Sequence, residues 1–134
     1  MKKLVVFVVI ALSMAGCGSG GSSSSSTSAL APSSSSGDFT MTMSFDPSPP
    51  KKGSETISIS VKDASGIQIK GAVVKATTRM PAMSMSGPAL TFQDNGDGTY
   101  SAVTNMNYQT KWVLAIMATG AGKSGKAEFI ADVR

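Results

Sequence analysis

Three methionines within six residues form the most distinctive chemical feature of the sequence. They lie in Met80-Pro81-Ala82-Met83-Ser84-Met85. In an extended loop Met83 and Met85 project to the same side, and Met80 joins them if Pro81 bends the chain. Three thioethers make a soft trigonal site, which suits Cu(I) and disfavours Zn(II), Mg(II) and Ca(II). The sequence therefore predicts a candidate Cu(I) site at Met80, Met83 and Met85.

Two further residues are candidates for an auxiliary role at this site. Met106 supplies another thioether, and the Trp112 ring near a bound cation adds a cation–π contact. Methionines also fill gaps in a core, form adaptable apolar contact surfaces, or act as sacrificial sites of oxidation. The pattern alone leaves these alternatives open.

Catalysis has little chemical basis in this sequence. There is no histidine, and the only cysteine is Cys17. The carboxylates fall in turns or on an exposed strand face, so neither a nucleophilic triad nor a metal-bound water can be assembled. Asp94-Asn95-Gly96-Asp97-Gly98 has glycines where a calcium loop needs ligands, and it is interpreted as a hairpin turn. We expect no enzymatic activity, and Cu(I) is the one cofactor that the sequence suggests.

The amino-terminal residues indicate export and lipidation. Lys2 and Lys3 precede an apolar run over residues 4–12, which is too short to span a bilayer as a helix. Met14-Ala15-Gly16-Cys17 resembles the lipobox of bacterial lipoproteins, whose cysteine is acylated and becomes the mature amino terminus. We expect a signal peptide over residues 1–16 and a lipid on Cys17 that makes the membrane a partner of the protein.

The residues after Cys17 are too polar to build a core. Residues 17–37 are dominated by Ser and Gly, which is typical of a disordered, flexible tether. Without Lys2 and Lys3, ten basic residues face eight acidic ones, a net charge of +2. The basic residues are scattered rather than arranged as a phosphate-binding stripe, so nucleic acid is excluded as an expected partner.

Alternating apolar and polar residues dominate the sequence from residue 38 onward. The alternation predicts strands near residues 39–45, 57–61, 72–78, 90–92, 99–103, 111–119 and 127–133, separated by Pro-, Gly- and Asp-rich turns. Trp112, Leu114 and Ile116 share one face of the longest strand. Seven short strands without helical periodicity predict an all-β fold over residues 38–134, a small antiparallel immunoglobulin-like β-sandwich.

Several of these segments together resemble a known family. They are Pro49-Pro50-Lys51-Lys52-Gly53, Gly71-Ala72-Val73-Val74, the Met80 to Met85 element, Gly98-Thr99-Tyr100 and Trp112-Val113-Leu114, with a closing Phe129. In this order they are similar to YtkA-like domains, which are related to FixH-type proteins, over most of residues 45–133. The resemblance implies a small extracytoplasmic sandwich associated with copper handling, oxidase assembly or efflux.

Two functional hypotheses follow for a lipid-anchored protein of the cell envelope. In the first, the methionine loop binds Cu(I) in support of copper handling or of a respiratory or efflux complex. In the second, the same loop is a metal-free docking surface for an envelope protein complex. Titration with Cu(I) distinguishes them, because only the first predicts coordination by thioethers.

Overall fold

The computed structural model describes residues 29–134, which form ten strands and one short 3-10 helix. Within that range no helix is long and apolar enough to cross a membrane. The 3-10 helix is Pro81–Met83. The strands are β1 (Ser34–Gly37), β2 (Phe39–Asp46), β3 (Gly53–Asp63), β4 (Val73–Met80), β5 (Met85–Ser86), β6 (Leu90–Thr91), β7 (Gln93–Asp94), β8 (Thr99–Met106), β9 (Lys111–Gly120) and β10 (Lys123–Asp132).

The strands form two antiparallel sheets that face each other. Sheet A has the order β2-β3-β8-β7, and sheet B has the order β1-β10-β9-β4, with β5 and β6 both pairing with β4. This order matches the ABED and CFG sheets of an immunoglobulin domain, extended at both edges of the second sheet. The predicted all-β sandwich is therefore confirmed.

Period-two alternation explains why these residues form these strands. In β2 the inward residues are Phe39, Met41, Met43 and Phe45, and every second residue of β3, β4, β9 and β10 is likewise buried. The alternation predicted near residues 72–78 and 111–119 is observed, with Val74 and Ala76 facing inward in β4 and Trp112, Leu114 and Ile116 facing inward in β9. Trp112, Tyr100, Phe129, Ile57, Ile59 and Leu114 are the largest aromatic and branched side chains among the fully buried residues.

The ordered domain begins before the predicted boundary at residue 38. Leu30 forms a bridge with Met43, and β1 pairs along its whole length with β10, from Ser34 opposite Glu128 to Gly37 opposite Gly125. The serines of β1 are exposed and contribute backbone hydrogen bonds rather than apolar contacts. The end of the predicted Ser-rich tether is therefore an edge strand, while Cys17 and residues 1–28 lie outside the described part.

A second difference concerns the segment predicted as one strand near residues 90–92. Its first two residues, β6, pair with β4 in sheet B, whereas β7 pairs with β8 in sheet A. Phe92 lies at the crossing and is buried, with its N–H donating to the Val74 carbonyl at 2.9 Å. The chain therefore changes sheet here, which local alternation does not reveal.

Tyr100 fastens the loop between β3 and β4 across the two sheets. Its hydroxyl donates to the Ile69 carbonyl at 2.6 Å and accepts from the Ala72 N–H at 3.0 Å. Burial of the side chain raises the pKa of Tyr100 above the usual value near 10. The polar end of Tyr100 thus satisfies two backbone groups of this loop.

Candidate functional site

The predicted site residues described by the structure gather at one end of the sandwich. Residues 107–110 join the end of β8 to the start of β9, so Met106 and Trp112 lie at this end, in opposite sheets. Because neighbouring strands are antiparallel, the end of β4 and the start of β3 lie here as well. We call this the methionine end of the domain.

The methionine segment is a tight turn rather than the extended loop expected from its sequence. Pro81 is well placed in the first turn of the 3-10 helix, because proline lacks the N–H that this position cannot use. Ser84 then adopts a left-handed conformation with φ of 51°, and its N–H donates to the Pro81 carbonyl at 3.1 Å. This geometry returns the chain on itself, so β5 runs antiparallel to β4.

The turn places Met85 directly opposite Met80. The two residues are register partners in the β4–β5 ladder, and paired residues in an antiparallel sheet project to the same face with Cβ atoms about 4.5–5.5 Å apart. On the other side of β4, Arg79 pairs with Val113, so the register continued by one residue sets Met80 opposite Trp112. Met85, Met80 and Trp112 therefore form a row across sheet B, which we call the Met–Trp row.

Exposure differs sharply along this row. Met80 is 1% exposed and belongs to the core, whereas Met85 at the sheet edge and Met83 on the helix are each 41% exposed. Met80 thus does not lie at the surface with the other two, as a fully exposed loop would require. Met80 therefore lies within the core, while Met83 and Met85 are partly open to solvent.

Contacts of Gly87 and Pro88 hold the loop after β5 against Trp112. A Cβ at Gly87 would collide with Trp112 Cζ3 and Thr78 Oγ1, so only glycine allows this approach. Thr78 Oγ1 also donates to the Pro88 carbonyl at 2.7 Å. The Trp112 indole is 2% exposed, and its Nε1 donates to the Tyr108 carbonyl at 3.0 Å. The floor beneath the methionine turn is therefore rigidly packed.

Sheet A contributes a residue to this end that the sequence analysis did not single out. Glu55 is 1% exposed; its Oε1 accepts from the Lys51 N–H at 2.6 Å, while its Oε2 has no hydrogen-bond partner. Met106 pairs with Gly53 and Thr104 pairs with Glu55, so Met106 is a diagonal neighbour of Glu55 on the inner face. Glu55 lies two residues before Ile57 in the alternating pattern, which was the available signal that it faces inward.

The acidic turns lie at the opposite end of the sandwich. Their carboxylates accept hydrogen bonds from residues of the same turns. Asp97 Oδ1 accepts from both the N–H and the hydroxyl of Thr99, and Asp63 Oδ1 accepts from Ser65 and Ile67. These hydrogen bonds, led by those from the Thr99 and Ser65 hydroxyls, lower the pKa values of Asp97 and Asp63 below their usual range. The interpretation of residues 94–98 as a hairpin turn is confirmed, since β7 and β8 pair on either side of it.

The side chains that most often bind metal ions in proteins are not clustered within the described range. Within residues 29–134, no three His, Cys, Asp or Glu side chains lie close enough together to hold a metal ion. Any metal at the methionine end would thus depend on thioethers, with Glu55 as the one nearby acid that is buried there.

The order of these elements also agrees with a described protein family. The model of the YtkA-like family matches residues 33–117, which is well over half of the chain. The chain belongs to the YtkA-like family. The match begins at β1 and includes the methionine turn, Glu55, Met106 and Trp112, whereas β10 lies beyond it. No curated protein and no solved structure matches the chain.

Proposed function

We propose that this YtkA-like protein is a lipid-anchored, extracytoplasmic accessory module that binds Cu(I) through Met80, Met83 and Met85. The observation that carries the proposal is the direct pairing of Met80 with Met85, with Met83 on the turn between them. A thioether has no charge and a polarizable sulfur, so a group of three favours a soft monovalent cation over hard divalent ones.

Trp112 in the Met–Trp row supports this assignment, because its ring is held in a fixed position beside the methionines. Trp112 is fixed by its Nε1 hydrogen bond and by the close approach of Gly87, so its ring does not need to be ordered when a ligand arrives. A cation held by the adjacent methionines lies near an aromatic face, where the attraction strengthens as water is excluded. Met106 is the auxiliary thioether, from the facing sheet.

Glu55 is the proposed source of negative charge that balances a cation bound at this site. A cation brought to the edge of an apolar core loses hydration, and the loss is offset when an opposite charge lies nearby. Glu55 is the buried carboxyl of the described domain, and its free Oε2 lies at the same end as Met80. We infer that Glu55 compensates the charge of Cu(I) from below the thioethers.

The anchor rests on the residues before the described domain. Met14-Ala15-Gly16-Cys17 resembles the motif of an acylated cysteine, and lipidation would consume the only thiol in the sequence. Leu30, which bridges to Met43 in the described domain, follows Cys17 by 13 positions in the sequence. This arrangement suits a module held at a membrane that serves a respiratory or efflux complex of the envelope.

One observation favours a second function for the same end. Met83, Met85 and Tyr108 are each 41% exposed, so three large apolar side chains face solvent around the methionine end. Methionine and tyrosine are common in protein contact surfaces, because the first adapts its shape and the second combines an apolar ring with a polar tip. A metal-free docking surface for an envelope protein is therefore the alternative.

Titration of the reduced protein in detergent with Cu(I), in competition with a chromogenic chelator, separates the two functions. The parent is expected to bind one equivalent, and Met80→Leu/Met83→Leu/Met85→Leu is expected to bind none while remaining folded, since Leu and Met have similar volumes. Met117→Leu is the matched control, because Met117 is half exposed on the outer face of sheet B. Equal binding by the parent and the triple variant would refute the site, and no binding by either would favour the docking surface.

A further inference from the structure

A groove crosses the outer face of sheet B, on the side of the sheet that faces away from the core. Its volume is about 770 Å³. Thr77, Ala115 and Met117 form its floor, β1 forms one wall, and residues 89–91 form the other.

Two lysines flank one end of this groove. Met117 of β9 pairs with Lys75 of β4 on one side and with Lys126 of β10 on the other, and all three side chains are exposed on the outer face. With strands about 4.8 Å apart, the two lysine Cα atoms lie roughly 10 Å from each other across Met117. Neither ammonium group forms an ion pair with an acidic residue of the described domain.

The opposite end of the groove is electrically neutral. Arg79 bonds Glu128 at 3.2 Å across β9, so these two charges compensate each other. Glu128 lines the groove, whereas Arg79 lies beyond the lining, two residues after Thr77. The groove therefore has an apolar floor, one end with two uncompensated ammonium groups, and another end where the lining carboxylate is neutralised by Arg79.

No contact within the described domain accounts for the two lysines. Both are exposed, neither has an acidic partner, and their like charges repel weakly across Met117. Two unpaired cations beside an apolar cavity of this size instead match the form of a site for an amphiphilic anion, in which a few polar groups orient a mainly apolar ligand.

We propose that this groove binds the anion of a fatty acid. The carboxylate lies between Lys75 and Lys126, and the alkyl chain lies over Met117 and Ala115, beside Thr77. An ammonium–carboxylate hydrogen bond is among the stronger contacts that a partly exposed site offers, and the apolar floor removes the chain from water. This site is on the outer face and does not depend on the methionine end.

Photo-crosslinking on the full-length lipoprotein in lipid nanodiscs tests the proposal. The probe is a fatty acid with a diazirine in its alkyl chain, its methyl ester is the uncharged control, and labelled peptides are located by mass spectrometry. The acid is expected to label the residues around Ala115 and Met117, and the ester to label them about tenfold less, as the loss of one charge-assisted contact predicts.

Two double variants with equal loss of charge complete the test. Lys75→Gln/Lys126→Gln is expected to reduce labelling by about tenfold or more without lowering the melting temperature, since it removes a repulsion. Lys52→Gln/Lys62→Gln, whose lysines are exposed away from the groove, is expected to label as the parent does. Equal labelling by acid and ester, labelling spread evenly over the surface, or unchanged labelling of the Lys75 and Lys126 variant would overturn the proposal.

Discussion

Met80 lies directly opposite Met85 in the β4–β5 ladder, yet Met80 is 1% exposed and Met85 is 41% exposed. The pair therefore joins the core to the solvent across a single strand spacing. The side chain of Met80 is held in place by packing, while that of Met85, beside it at the sheet edge, remains accessible. This asymmetry gives Met80 a double role, since it stabilises the domain and completes the proposed ligand set.

The difference in burial predicts that the same polar substitution affects stability differently at Met80 and at Met85. Met85→Ser should leave the free energy of unfolding within about 0.5 kcal/mol, as is usual for exposed positions. Met80→Ser should lower it by about 2–5 kcal/mol, because it creates a cavity and buries a hydroxyl. Urea unfolding followed by circular dichroism measures both. Equal losses in the two variants would contradict the described difference in burial.

Removal of the Trp112 ring should destabilise the domain. Trp112→Ala is expected to cost about 3–5 kcal/mol, a large part of the stability of a small domain. Trp112→Phe keeps an aromatic ring and loses the Nε1 hydrogen bond to the Tyr108 carbonyl, so a smaller cost is expected. A parent emission spectrum typical of fully hydrated indole would contradict the burial of this side chain.

Tyr100 should make stability depend on alkaline pH. Burial raises the pKa of Tyr100 in the folded protein, so the unfolded chain loses its phenolic proton first as the pH rises. The free energy of unfolding should therefore fall above about pH 10, and the contribution of Tyr100 should be fully present below that value.

Tyr100→Phe isolates this contribution. It should lower the free energy of unfolding at neutral pH by about 1–3 kcal/mol, because the Ile69 carbonyl and the Ala72 N–H lose their partner. It should also flatten the decline at alkaline pH, whereas Tyr108→Phe at an exposed position should not. Urea midpoints measured between pH 7 and 11 would disprove the assignment if the two variants behaved alike.

Glu55 should affect Cu(I) affinity more than folding. Glu55→Gln preserves the oxygen that accepts from the Lys51 N–H and replaces the unpartnered Oε2, so the melting temperature should not fall. Loss of the compensating charge should weaken Cu(I) binding by about tenfold, equivalent to ~1.4 kcal/mol. Unchanged affinity in a folded Glu55→Gln protein would remove Glu55 from the proposed site.

Lipidation at Cys17 has a direct cellular test. Cys17→Ser should release the protein from the membrane fraction or block its processing, because the acyl chains supply the proposed attachment. Cell fractionation followed by mass spectrometry of the mature amino terminus measures this. An unmodified cysteine on the mature parent protein would exclude the anchor.

Local alternation predicted most of the strands because one face of each strand is buried. The same pattern could have placed two further residues: Met80 continues the inward set of Val74 and Ala76, and Glu55 precedes that of Ile57 and Ile59. Both residues are inward-facing by their phase in the strand, although the chemical type of Glu55 alone favours the surface.

Features that depend on contacts between distant segments could not be predicted from local patterns. β1 is a serine strand whose order comes from backbone pairing with β10, about 90 residues later. The groove beside Lys75 and Lys126 exists because β4, β9 and β10 meet in one register. Composition alone indicated a tether in the first case and scattered charges in the second.

X-ray absorption at the copper edge identifies the atoms that bind Cu(I), and it therefore tests whether Met80, Met83 and Met85 are the ligands. The full-length protein is loaded with one equivalent of Cu(I) under reducing conditions and compared with the Met80→Leu/Met83→Leu/Met85→Leu variant. We expect a first coordination shell of sulfur atoms in the parent and its loss in the variant. A first shell made only of oxygen or nitrogen, or the same sulfur shell in both proteins, would contradict it.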